Sequence, residues 1–82
     1  MTDSTEYKIK WKAPDGYDPS TVLQKLPSPI SRDMREIYNF SVTPEGFYLV
    51  DRHVDSIVTG HAMKLFLDEA LSHTNTVTVC KL

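Results

Sequence analysis

The stretch Glu36-Ile37-Tyr38-Asn39-Phe40-Ser41-Val42-Thr43-Pro44-Glu45-Gly46-Phe47-Tyr48-Leu49-Val50-Asp51-Arg52 decides how this chain is read. Its first half alternates, with Tyr38, Phe40 and Val42 on one side and Ile37, Asn39 and Ser41 on the other. That is the period of a half-buried strand. Thr43-Pro44-Glu45-Gly46 carries proline at the second and glycine at the fourth position of a type I turn. Phe47 to Arg52 returns as a second strand, so residues 36–52 predict a β-hairpin. Two registers are open. A three-residue loop closed by Thr43 and Phe47 sets Tyr38, Phe40 and Val42 beside Tyr48, Val50 and Arg52. Pairing Val42 with Phe47 sets them beside Phe47, Leu49 and Asp51, because a one-residue slip exchanges the faces of a strand.

Upstream of the hairpin, Tyr7-Lys8-Ile9-Lys10-Trp11-Lys12 alternates without a break and predicts a strand, with Trp11 as a core anchor. Ala13-Pro14-Asp15-Gly16 reads as a turn. Asp18-Pro19 then starts a short helix, Asp18 capping and Pro19 in the first helical position, with Val22, Leu23 and Leu26 on one face. Pro27 ends it, and Leu26 to Ile30 is a stiff connector. Ser31 to Glu36 fits either a turn of helix or a lead-in to the hairpin. Downstream, from Asp55 or Ser56 to His73, the period becomes helical, with Ala62, Met63, Phe66 and Ala70 clustered. Gly60 weakens the first turn there and makes Thr59 an alternative cap. Thr76 to Lys81 is a β-branched terminal strand. Residues 1–5 are expected to be disordered, leaving 6–82 as a single domain.

The order β-α-β-β-α-β resembles the ferredoxin-like split βαβ architecture. The resemblance implies an α+β fold, an antiparallel sheet with two helices on one face and the second hairpin strand beside the first strand of the chain. Acylphosphatases and copper chaperones share the order. This chain has neither an arginine-bearing loop after its first strand nor a C-x-x-C pair, so neither activity is expected.

Composition narrows the function classes. At 82 residues the core is thin, and there is no room for a deep closed cavity. A net charge of −2 argues against a generally basic nucleic-acid binder or a polybasic membrane protein. The single cysteine, Cys80, excludes an internal disulfide and any multi-cysteine zinc site. Met1 to Glu6 has no basic or apolar signal region, and no apolar run is long enough for a bilayer. The expectation is a soluble, cytoplasmic protein without membrane contact.

Candidate chemistry is sparse. His53, His61 and His73 are too widely spaced for a metal site, and no cofactor is indicated. The densest polar cluster is Asp51-Arg52-His53-Val54-Asp55, where a histidine between carboxylates offers a general base. His53, Asp51 and Asp55 are therefore the weak catalytic candidates, with a strand end and a helix cap as the simpler reading. On the open sheet face, Lys8, Lys10, Lys12, Tyr48 and Arg52 form a basic and aromatic row under the second register, joined by Val50, Thr76, Thr78 and Cys80. Leu65, Leu67 and Leu71 widen the apolar arc of the second helix, leaving Leu65 and Leu71 as a contact surface unless segment 27–35 folds over them. The expected function is a small binding or regulatory module that works by protein–protein contact and self-associates as a homodimer. A small enzyme or ligand-binding domain completed by a dimer partner at His53 is the alternative. Weak binding of single-stranded nucleic acid through the lysine row is a third.

Overall fold

A computed structural model of the chain describes residues 4–82. Its elements are β1 (Thr5–Lys10), α1 (Ser20–Lys25), β2 (Tyr38–Thr43), β3 (Gly46–Asp51), α2 (Ser56–His73) and β4 (Thr78–Lys81). The strands form one four-stranded antiparallel sheet in the order β2-β3-β1-β4, and the fold is α+β. No helix among the described residues is long and apolar enough to cross a membrane.

The hairpin adopts the second register. Val42 pairs with Phe47, Phe40 with Leu49 and Tyr38 with Asp51, around a two-residue loop of Pro44 and Glu45. The neighbouring strands continue the same face through Tyr7 opposite Leu49, Ile9 opposite Phe47 and Val79 opposite Ile9. Directly opposed residues share a face, so this side of the sheet carries Ile9, Phe47, Leu49 and Tyr38, each at most 1% exposed. Val22 of α1 and Ala62, Phe66 and Ala70 of α2 belong to the same core cluster, and both helices therefore lie on this side. Phe66 sets its ring 4.6 Å from that of Phe47 and 5.8 Å from that of Phe40.

Gly46 is where the loop, β3 and β1 meet. Its φ is +142°, and a Cβ placed there would lie 2.8 Å from Trp11 Cδ1 and well inside contact distance of the Ile9 carbonyl oxygen. Only a residue without a side chain lets the hairpin close this near to β1.

Asp55 caps α2, its Oδ1 accepting hydrogen bonds from the amides of Ile57 (3.1 Å) and Val58 (3.2 Å). Thr59 is not a cap. It is buried inside the first turn, where its hydroxyl donates to the Asp55 carbonyl, and the helix runs unbroken through Gly60. At α1 the Asp18 carboxylate accepts from the amide of Ser20 as expected, but Pro19 sits at the cap, one place before the first helical residue.

Other boundaries moved. β1 begins at Thr5, inside the segment expected to be disordered, and Met1 to Asp3 of that segment lie outside the described residues. β1 also ends at Lys10, so Trp11 and Lys12 follow it, with the Trp11 amide donating to the Glu45 carbonyl at 3.0 Å. β4 starts at Thr78 and excludes Thr76. Segment 30–36 is neither helix nor strand lead-in. It reverses on itself through an Ile30–Glu36 bridge and a Ser31 amide to Arg35 carbonyl bond of 2.9 Å, with Met34 at φ +67° near its tip.

Candidate functional site

Alternation along β1 and β3 places Lys8, Lys10, Tyr48 and Val50 on the face away from the helices. Arg52 joins them just past β3, where its Nε lies 2.6 Å from Asn39 Oδ1. Lys12 lies beyond the end of β1 and outside the row of paired residues. The row is not a bare basic stripe. Lys8 lies 3.8 Å from Glu45, Arg52 lies 3.8 Å from Glu36, and the Tyr48 hydroxyl donates to Glu6. These bonds flank Val50, whose lateral neighbours are Glu6 and Asn39, and Val50 is only 7% exposed on the nominally open face. A groove that follows phosphates needs unneutralised cations; here carboxylates from three separate segments interleave with them.

The junction between β3 and α2 brings the weak catalytic candidates together in part. The His53 amide donates to Asp51 Oδ1 (2.8 Å), and its Nε2 lies 2.7 Å from Thr5 Oγ1. Asp55 faces the other way, occupied by the α2 amides. His53 is exposed at φ +61°, and it does not line either of the two clefts that flank α1 and α2. Among the described residues no group of three or more His, Cys, Asp or Glu side chains is placed to hold a metal ion.

Those clefts flank α1 and α2. The larger, of about 430 Å³, is lined by Pro14 to Asp18, Thr21, Glu69 and His73. Behind it Trp11 stacks on His73 (5.7 Å between centroids, 22° between planes), and Tyr17 meets Trp11 edge-on at 5.0 Å. The Trp11 indole N–H is buried without an acceptor among the described residues. The Tyr17 hydroxyl donates to Glu69 Oε2 at 2.5 Å. Burial first, and then this bond to Glu69, push the Tyr17 phenol well above its ordinary pKa.

A raised phenol pKa means that the folded state favours the neutral form. Its contribution is complete below the unfolded value of about 10 and is lost as pH climbs from there toward the folded value. The wild-type urea midpoint is therefore expected to fall as pH rises above about 10. Tyr17→Phe should fall less steeply, while the raised phenols of Tyr38 and Tyr48 preserve part of the slope.

The apolar surplus of α2 is smaller than its sequence suggests. Leu65 and Leu67 pack against the core, which leaves Leu71, at 51% exposure, as the exposed member of the three. Segment 27–35 does not fold over the helix with its apolar side chains, since Met34 is 81% and Ile30 40% exposed.

The feature that sequence reasoning missed is the outer edge of β2. This strand, Tyr38-Asn39-Phe40-Ser41-Val42-Thr43, lies at the rim of the sheet and contains no charge, proline or glycine. In a two-residue hairpin the closing pair, here Thr43 and Gly46, exchanges both of its hydrogen bonds. Thr43, Ser41 and Asn39 thus turn their main-chain groups toward β3, whereas Phe40 and Val42 turn theirs outward. The side chains of those two residues are 37% and 42% exposed on the helix side. Segment 29–31 covers only the approach to this edge, where the Ile37 amide donates to the Pro29 carbonyl at 2.7 Å. The signal was available: the split βαβ order puts the first hairpin strand at a rim, and its lack of charge is visible in the chain.

No protein-family model, curated protein or solved structure matches this chain.

Proposed function

We propose that the chain is a protein-contact module that receives an extended strand along the outer edge of β2, on a scaffold of the ferredoxin-like split βαβ kind. The element order and the rim position of β2 support that scaffold. One observation carries the function: a six-residue edge strand without any of the devices that blunt edges. Sheets usually protect a rim strand with lysine, proline, a bulge or a covering segment. β4 follows that rule, being four residues long and ending in Lys81. β2 does not, and beside its outward main-chain groups stand two exposed apolar side chains. Main-chain pairing supplies affinity in strand addition, and the alternate side chains supply choice.

The nucleic-acid reading loses ground to the carboxylates among the lysines. The clefts beside α1 and α2 are not lined by His53 and lend the enzyme reading there no support.

Val42→Pro tests the proposal. It removes one outward N–H and none that faces β3, so the fold should survive with a loss of no more than about 1 kcal/mol. Peptides selected from a random display library on the wild-type protein are expected to be extended and alternating, and to lose binding to Val42→Pro. Phe40→Lys, which leaves the backbone free but adds an edge charge, should weaken the same peptides. Selected peptides that bind both variants as well as wild type, or a library that yields none, would overturn the reading.

A further inference from the structure

We infer that the strand received by β2 is the β2 of a second copy, paired antiparallel about a two-fold axis with Phe40 opposite the partner's Val42. This rests on the edge reading above and names its occupant. Two-fold pairing sets each residue of a strand against a fixed counterpart, and the residues that hydrogen-bond across the seam must be those with outward main-chain groups. Three arrangements do this: Phe40 opposite itself, Phe40 opposite the partner's Val42, and Val42 opposite itself, the last of which sets Phe40 against Pro44, a residue without an N–H. Placing Phe40 opposite itself would set the partner's Thr43 against Ile37 and its turn against Glu36 and Arg35, driving paired strand into an edge that Pro29 to Ser31 already occupies. Placing Phe40 opposite the partner's Val42, with Ser41 at the axis, keeps the paired residues within 39–43 and lets only the turn residue Glu45 reach Ile37, beside that segment.

Like charges set directly opposite one another destabilise a strand pair. Residues 38–43 carry none. Across the seam Phe40 and Val42 of both copies make one apolar strip on the helix side, covering side chains now more than a third exposed. The ends are complementary in charge. Antiparallel pairing carries the hairpin tip, with Glu45, toward the partner's segment 30–36. In that segment Arg35 is paired with Asp33 and Glu36 with Arg52, whereas Arg32 is exposed and has no carboxylate within 4 Å among the described residues. Glu45 is exposed and 3.8 Å from Lys8, a long contact that it would share with Arg32, and two such Arg32–Glu45 meetings, one at each end, favour this arrangement.

The test is sedimentation equilibrium of the full chain over a roughly hundredfold range of concentration. The wild type should move from monomer to dimer, and Val42→Pro and Phe40→Lys should stay monomeric while retaining the wild-type circular dichroism. Arg32→Glu and Glu45→Arg should each weaken the dimer about fivefold or more, and the double reversal should recover most of that loss. A monomer at every concentration, a dimer that Val42→Pro leaves intact, or charge reversals without mutual rescue each overturns the inference. A monomer that still selects edge-binding peptides removes the second copy alone; failure of both assays removes the edge reading as well.

Discussion

Gly46→Ala is expected to cost about 3–5 kcal/mol, a third or more of the roughly 5–10 kcal/mol that a domain of this size has in all. Two penalties coincide. The backbone sits at φ +142°, a region that side chains rarely enter, and the new methyl would press on the Ile9 carbonyl and the Trp11 ring. The carbonyl belongs to β1, whose ladder to β3 fixes its place, so it cannot give way without breaking pairs such as Ile9 with Phe47. Gly16→Ala separates the two penalties. Gly16 is at φ +75° with nothing within 4 Å of a would-be Cβ, so it retains only the conformational cost of about 1–2 kcal/mol. Urea denaturation of both variants measures the difference. Equal losses would show that the close approach at Gly46 contributes nothing.

Phe66→Ala is expected to cost about 3–5 kcal/mol. The side chain is fully buried, and it bridges Phe47 at the sheet centre to Phe40 at the rim. Removing it leaves a void between α2 and the sheet that the neighbouring Ala62 and Ala70 are too small to fill. It also takes away the ring against which Phe40 lies. Leu71→Ala, from a side chain half exposed on the same helix, should change stability by less than about 0.5 kcal/mol. A thermal or urea midpoint that fails to separate these two variants would contradict the packing of α2 described above.

The elements were legible because their periods are clean. Ile9 and Trp11 alternate with lysines, Ala62, Phe66 and Ala70 recur at helical spacing, and Pro44-Glu45-Gly46 marks a turn. The hairpin register was not legible. Phe47-Tyr48-Leu49-Val50 is apolar at every position, so a slip of one residue buries nearly as much on either face. What selects the register is tertiary: Gly46 must lie in the closing pair because β1 passes too near for any other residue. The same limit applies to the surface. In the chain the basic row has no visible partners, because the carboxylates that meet Lys8 and Arg52 arrive from residues 45 and 36, on other segments. A helical wheel offers Leu65 as a contact residue because it does not show what packs on that flank, and in the fold Leu65 lies against the core. The edge of β2 depends on which strand is outermost, a property of the sheet and not of the strand's own residues.

The place of β1 in the sheet also sets the order of events during synthesis. It is the first of the four strands to be made, yet it lies between β3 and β4, and its last contacts are Tyr7 with Lys81 and the Leu82 amide with the Glu6 carbonyl. The β2–β3 hairpin can close while later residues are still being added, but β1 waits for strands separated from it by about half and then nearly all of the chain. Most of the loop-closure entropy is therefore spent before the central strand is secured, which predicts slow folding for so small a domain. In that interval the uncharged rim of β2 is already formed, so a newly made chain can meet a neighbour through it before its own sheet is complete.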